Sequence, residues 1–190
     1  MLKTYALFDL IGMQDALEKG EAAKVLREFW AAVENWINHR AKDVGRVTFE
    51  DGGTGTPMPR VVTFSDSAVL WHEPEIALPS FYTLVRRLKE MVDGVCPSYA
   101  VVCRGEEIVP KEMTISVLSG GDPRPLYQNV LGSGQVVQDL FSAEKFVRKQ
   151  KDWHEGGLSL YCVGDRSKSD GELKDKRKAP GLDDPILALS

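Results

Sequence analysis

The chain has 190 residues, 43% of them hydrophobic and 27% charged, a globular composition sized for one domain rather than two. Fibrous, collagenous and wholly disordered classes are thereby excluded. Its 24 Lys and Arg against 28 Asp and Glu leave a formal charge of -4, so no global basic field is present to hold nucleic acid. A polyphosphate partner would need local cations or metal ions. Cys96, Cys103 and Cys162 are odd in number and lack CxxC spacing, which argues against a disulfide framework or zinc ribbon and for a reducing cytoplasm. The opening MLKTYALFDLIG carries Asp9 inside its apolar run and has no cleavage pattern, and no apolar run approaches the roughly 20 residues of a membrane span. A cytoplasmic protein without a membrane anchor is expected.

In chain order, residues 3–9 read as a buried first strand that ends on Asp9, with LIGM as its turn. From about Asp15 to Arg40, Leu17, Leu26, Phe29, Trp30, Val33, Trp36 and Ile37 recur at helical spacing, with Gly20 a break after the first turn. A short strand at Val47–Phe49 and the loop EDGGTGTPMP precede a strong β run, RVVTFSDSAVLW, with Asp66 inside it. Pro74–Pro79 form a linker. Phe81, Leu84, Val85, Leu88, Met91 and Val92 write a second helix that stops at Gly94. SYAVVCRG and EMTISVLS (112–119) read as strands, SGGDPRP as a turn, Gly134 to about Lys149 as a helix and GLSLYCV as a strand. Gly164 to Pro180 is almost all charged or small and reads as a mobile arm, so residues 1–164 are the expected domain and 165–190 a polar, flexible tail.

This order predicts an α+β sandwich, two split βαβ halves forming a mixed or antiparallel sheet covered by helices. Within it, Asp9 and Asp66 are lone acids in runs that otherwise want apolar side chains. Two carboxylates meeting on adjacent strands repel unless a cation lies between them, and a hard divalent ion with substrate phosphates suits that donor set. For either residue alone, an Asx turn or a cap is the competing reading.

FDLIGM, the long helix, VVTFSDSAVL, the strand ending Cys103-Arg104-Gly105 and GSGQVVQDLFSAEK together resemble the class III nucleotidyl cyclase catalytic domain. The likeness is nearest to the stand-alone pyrimidine (uridylate or cytidylate) cyclases of Pycsar antiphage systems and covers roughly residues 4–163. The resemblance implies a ferredoxin-like split βαβ sandwich of the cyclase type. It also implies a reaction turning UTP, before CTP, into the 3′,5′-cyclic monophosphate and pyrophosphate, as a second messenger in antiphage defence read by a separate effector. It makes Asp9 and Asp66, with the Leu10 carbonyl, ligands of two Mn²⁺ or Mg²⁺ ions, and it gives the Ile11, Gly12 and Met13 amides to the phosphates. Base and ribose contacts fall to Arg60, Val62, Phe64 and Gln138. The family's Asn and Arg on the dimer-facing helix are replaced here by Gln138 and Ser142, leaving Arg104, Arg124 and Arg148 as candidates for the transition-state cation. A homodimer with sites at the subunit interface follows from the same resemblance. The alternatives are a degenerate cyclase-like domain that binds nucleotide or a partner without turnover, and a metal-dependent phosphohydrolase.

Other features carry less. GGTGTP lacks the Lys-Ser/Thr of a P-loop, and GGD at 120–122 lacks the Glu-Phe of a diguanylate cyclase. His39, His72 and His154 have no metal-ligand spacing and read as surface or helix-end packing, while Trp30 and Trp36 read as core or dimer face. KDKRK at 174–178 is surrounded by acids, against nucleic-acid binding.

Overall fold

The computed structural model describes residues 2–107, 116–119, 122–125, 134–164 and 172–189. Strand β1 (Leu2–Leu10) leads through the short helix α1 (Met13–Glu18) into α2 (Ala22–Asn35), which runs on as a π turn (Trp36–Arg40) and a 3₁₀ turn (Ala41–Val44). Gly20, at φ +74°, separates the two helices. The small pair β2 (Val47–Thr48) and β3 (Thr54–Gly55) precedes β4 (Pro59–Phe64), β5 (Ser67–His72), α3 (Leu78–Asp93) and β6 (Ser98–Glu106). Then come β7 (Ser116–Ser119), β8 (Asp122–Pro125), α4 (Gln135–Val147), α5 (Lys151–Glu155), β9 (Leu160–Val163), β10 (Leu173–Arg177) and β11 (Ile186–Leu189).

Seven strands form one mixed sheet in the order β10-β11-β9-β6-β1-β5-β4, in which only β6 and β9 run parallel. Strands β6-β1-β5-β4 with α2 and α3 are the split βαβ arrangement, two βαβ halves interleaved so that β1 is central. Alternation along β1 divides the core. Ala6, Phe8 and Leu10 face α2 and α3 through Phe29, Val33, Phe81, Leu84 and Leu88. Tyr5 and Leu7 face the other layer, where Val136, Leu140, Ala143 and Val147 of α4 and Trp153 of α5 pack. Among the described residues, no helix is long and apolar enough to cross a membrane.

Three expectations are corrected. The run from Arg60 to Trp71 is a hairpin, β4 and β5 in register from Pro59↔His72 to Phe64↔Ser67, with Ser65 and Asp66 alone at its tip. Asp66 therefore lies in a turn and not within a strand. SGGDPRP is not all turn, because β8 pairs antiparallel with β7; residues 112–115 of the expected strand lie outside the described residues. The tail is the largest correction. Residues 165–171 lie outside the described residues, but β11 is buried at all four positions between β9 and β10, and β10 borders the sheet. The charged KDKR stretch conceals a strand because an edge strand tolerates lysines, which discourage further pairing. Tail and domain are thus one sheet.

At the end of β1 opposite Asp9, charged groups lie close together under the loop between β5 and α3. Lys3, 3% exposed, pairs with Glu73 at 3.1 Å, and Thr4 donates to Glu75 Oε1 at 2.5 Å. Buried His72 accepts from the Met58 amide at Nε2 (2.8 Å), so its Nδ1 donates to the Pro74 carbonyl at 2.7 Å; burial pushes its pKa down and keeps it neutral. Burial pushes the Glu75 carboxyl up to about 7, against the Thr4 hydrogen bond and the Lys3 and Arg104 charges, with Glu50 adding to the rise.

Two outcomes are expected. Truncation after Gly164 should abolish cooperative folding or lower Tm steeply, and Leu187→Ala alone should cost roughly 2–5 kcal/mol in chemical denaturation; an unchanged melting curve for the truncated chain would return the tail to a free arm. Because Glu75 is raised in the folded state, its contribution is fully present below the unfolded carboxyl range and is lost as pH rises through about 7. Wild-type stability should therefore decline relative to Glu75→Gln between pH 4.5 and 8, and parallel pH profiles would contradict a buried, protonatable Glu75.

Candidate functional site

Asp9 is the penultimate residue of β1, and its side chain, on the α4 side of the sheet, is 3% exposed. A buried carboxylate must be solvated by the protein, and strand register supplies the donors. Ser67 and Tyr99 are its cross-strand partners on β5 and β6. Ser67 Oγ donates to Asp9 Oδ1 at 2.5 Å, the Tyr99 hydroxyl lies 2.8 Å from Oδ2, and Arg148 Nη2 approaches Oδ2 at 3.3 Å. Arg148, just past the end of α4, is anchored by Glu144 one turn back, Nε to Oε1 at 2.7 Å. Glu144 Oε1 is also 2.8 Å from the Tyr99 hydroxyl.

Tyr99 has one hydroxyl hydrogen for two carboxyl groups, so the second contact calls for a proton on a carboxyl. Burial raises the Asp9 pKa in that direction; the Ser67 and Tyr99 hydrogen bonds and the Arg148 charge oppose it. Burial works against the charge on Arg148, but Tyr99, Asp9 and Glu144 outweigh it and hold the guanidinium protonated.

Asp66 reaches the same place from the hairpin tip. The Leu10 amide donates to the Asp66 carbonyl at 3.2 Å, and the indole N–H of Trp30 on α2 donates to the Ser65 carbonyl at 2.9 Å. Ser65 holds φ +51°, the only positive φ among the described non-glycine residues. An L-residue adopts that conformation at a cost, and the two hydrogen bonds hold it. Among the described residues, no hydrogen bond fixes the Asp66 carboxylate itself.

Asp9 and Asp66 line one cleft of about 400 Å³ together with Leu10, Gly12, Met13, Tyr99, Arg148 and His154. Gly12, at φ +87°, turns the chain from β1 into α1. The first amides of α1 have no intrahelical acceptor, and Met13 is among them. The Ile11 amide is not free, because it donates to the Pro97 carbonyl at 2.7 Å.

Phe64 falls in the cross-strand row of Ser67 and Asp9 and is 42% exposed, with Val62 and Arg60 on the same face one and two steps farther along β4. Gln138 and Ser142 are exposed on α4, away from the buried Val136, Leu140 and Ala143, and neither lines the cleft of its own chain. Arg104 stands opposite Thr4, five residues from Asp9 along β1, or about 17 Å. It pairs there with Glu50 at 3.0 Å and does not reach the cleft of its own chain. Arg124 lies in β8, and its side chain is outside the described residues.

Of the arginines considered, Arg148 is the one that meets Asp9. Sequence spacing did not single out Tyr99, Ser67, Trp30 or His154. His154 Nε2 lies 3.1 Å from the Val147 carbonyl, and its ring sits 5.0 Å from that of Tyr99. Tyr99 was legible only as an aromatic in a buried strand; Glu144 and Arg148, at i and i+4, were the available signal of an ion pair.

Among the described residues, no group of three or more His, Cys, Asp or Glu side chains is placed to hold a metal ion. Two carboxylates with a nearby backbone carbonyl remain a suitable set of hard oxygen donors for a divalent cation whose shell is completed by water and substrate phosphates. No protein-family model matches the chain, and no curated protein matches it.

The Trp30 contact can be tested without any ligand. Trp30→Phe removes one hydrogen bond, worth roughly 0.5–1.5 kcal/mol. Amide exchange at Asp66 and Ser67 should then quicken by up to about tenfold while the core of β1 stays protected. Unchanged exchange at the tip would show that the indole does not hold it.

Proposed function

We propose that the chain is a metal-dependent pyrimidine nucleotide cyclase of the class III type, acting on UTP before CTP and releasing the 3′,5′-cyclic monophosphate and pyrophosphate. The observation that carries this reading is the meeting of Asp9 and Asp66 in one cleft, at the head of a turn that presents free amides and beside one arginine. The split βαβ order with β1 central is compatible with that family's catalytic domain.

In this reading Asp9, Asp66 and the Leu10 carbonyl would hold two Mn²⁺ or Mg²⁺ ions. When bound, the ions supply Lewis-acid charge to the ribose 3′-oxygen and to the departing pyrophosphate. The chain's own residues do the rest. The Gly12 and Met13 amides receive the β- and γ-phosphates; the Ile11 amide is already engaged. Arg148 offsets charge as the 3′-oxygen bonds to the α-phosphorus, the bond to pyrophosphate breaks and the hydroxyl proton leaves to solvent. Phe64, exposed beside Ser67, offers an aromatic face to a base, with Val62 and Arg60 behind it. The exposed side of α4 that carries Gln138, Phe141 and Ser142 is the surface for a second subunit, which would complete each site of a homodimer. A cytoplasmic setting, a role in antiphage defence and a separate effector that reads the product belong to the same proposal.

A second reading is favoured by Ser142, which offers no guanidinium where the family has one, and by Arg148, which is already committed to Asp9 and Glu144. In that reading the domain binds nucleotide without turnover.

Incubation with each of the four NTPs and Mn²⁺, with products identified by mass spectrometry, separates the readings. The expected product is cyclic UMP, with cyclic CMP second. Asp9→Ala and Asp66→Ala should each lower turnover at least about a hundredfold. Mixing the Asp9→Ala chain with a Gln138→Ala chain tests the shared site, and recovered activity is expected because Arg148 stays beside Asp9 of its own chain while Gln138 would act from the partner. Near wild-type turnover in either aspartate variant would overturn the assignment, and nucleotide binding without product would favour the second reading.

A further inference from the structure

Asp9 has more partners than a metal ligand could keep, and the partners are of two kinds. Ser67 and Tyr99 are neutral hydroxyls carried by the neighbouring strands, at 2.5 Å from Oδ1 and 2.8 Å from Oδ2. Arg148 is a cation. It stands 3.3 Å from Oδ2, comes from just past the end of α4 with 58% of its side chain exposed, and lines the same cleft as Asp66.

A hard divalent ion binds carboxylate oxygens at about 2 Å. On either oxygen of Asp9 it would stand within a few ångströms of the guanidinium, and like charges that close repel strongly beside a carboxylate only 3% exposed. One of the two cations has to leave. The hydroxyls, being neutral, can stay.

Its second contact shows where Arg148 can go. Nε donates to Glu144 Oε1 at 2.7 Å, a shorter bond than the one to Asp9, and the Glu144 side chain is itself buried and in contact with the Tyr99 hydroxyl at 2.8 Å. The i, i+4 spacing keeps the two residues on one side of the helix end. Because Glu144 holds Nε and Asp9 holds Nη2, a turn of the guanidinium about the Nε contact breaks the second bond and keeps the first. The freed N–H groups would remain beside the cleft that Gly12 and Met13 line, and guanidinium N–H groups match phosphate oxygens.

We propose that Arg148 is a built-in occupant of the ion position: it neutralises Asp9 while no divalent ion is bound, is displaced when one arrives, and then offers its guanidinium, still anchored on Glu144, to the polyphosphate. This exchange rests on the metal site of the cyclase reading and adds that ion and arginine compete for one carboxylate. Removing Arg148 therefore acts in opposite directions on the two ligands, strengthening the ion and weakening the polyphosphate. Loss of a purely structural residue would weaken both.

Mn²⁺ affinity of the full-length protein is measured by EPR, and inorganic triphosphate affinity by calorimetry in metal-free buffer. Arg148→Gln is expected to bind Mn²⁺ at least about fivefold more tightly and triphosphate at least about fivefold more weakly. Lys149→Gln, which removes the same charge from an exposed neighbour, should change each by less than about twofold. Wild-type protein gives a readout free of any folding defect in the variant: Mg²⁺ should shift the Arg148 Nη resonances in NMR spectra while the Nε–H signal stays protected by Glu144. Unchanged or weaker Mn²⁺ binding by folded Arg148→Gln, undiminished triphosphate binding, an equal effect of Lys149→Gln, or Nη signals indifferent to bound Mg²⁺ would overturn the inference and leave the metal site standing. Mn²⁺ binding by neither protein would remove the metal site and the exchange together. Opposite shifts of the two affinities without any cyclic product would keep the exchange and sink the cyclase reaction alone.

Discussion

A carboxylate buried at the end of the central strand is the constraint around which the cleft is arranged. Asp9 cannot stay charged in that position without donors, and the donors come from far along the chain: Ser67 is 58 residues away and Tyr99 is 90. Each arrives through a different packing relation. The β1–β5 register sets Ser67 opposite Asp9, the β1–β6 register sets Tyr99 opposite it, and α4 lying across β6 carries Glu144 and Arg148 to the same point. A one-residue slip in either strand pair would turn Ser67 or Tyr99 to the opposite face and leave the carboxylate buried without its partners. The polar cluster therefore selects the register that the apolar alternation also selects, and the two demands agree.

The same strand pair separates two electrostatic environments. At one end, three elements converge on Asp9 from the α4 side. At the other, Thr4 and Arg104 lie on the α2–α3 side near Glu50 and Glu75. With about 17 Å and the thickness of the sheet between them, charge changes at one end are largely screened from the other by the distance and by salt. Arg104 is thereby assigned to the far pole by register alone.

How much was legible follows from which periodicities survive in single residues. The first strand, α3 with its stripe from Phe81 to Val92, and α4 from Gln135 were readable because one face of each is apolar at a regular spacing. Asp9 and Asp66 were readable because acids interrupt those runs. The hairpin tip was not, since Ser65 and Asp66 lack the Gly or Asn that usually marks a two-residue turn; tertiary bonds from Trp30 and Leu10 supply what turn chemistry does not. β10 was hidden for the opposite reason. Its charges resemble a solvated arm, and only β11, four apolar residues long, draws it onto the sheet. That Arg148 meets Asp9 while Arg104 meets Glu50 depends on the packing of α4 against β6 and on the β1–β6 register, relations between elements that no local pattern encodes.

The two aspartates differ in how they are held. Asp9 is surrounded: Ser67, Tyr99 and Arg148 contact its two oxygens, and Glu144 ties Tyr99 and Arg148 to each other. Its rotamer is set by three neighbours, and its charge is already offset by Arg148. Asp66 is held through the backbone, its carbonyl bonded to Leu10 and the preceding carbonyl to Trp30, while among the described residues no hydrogen bond fixes its carboxylate. In the proposed reading, a cation would meet Asp66 without first dismantling the network around Asp9. Arg148 has the complementary freedom. It is half exposed and bonded more closely to Glu144 than to Asp9, so it can release Asp9 while keeping its anchor on the helix. Charge at this end of the strand can thus be rearranged by moving two side chains, Asp66 and Arg148, over a backbone that the sheet keeps in place.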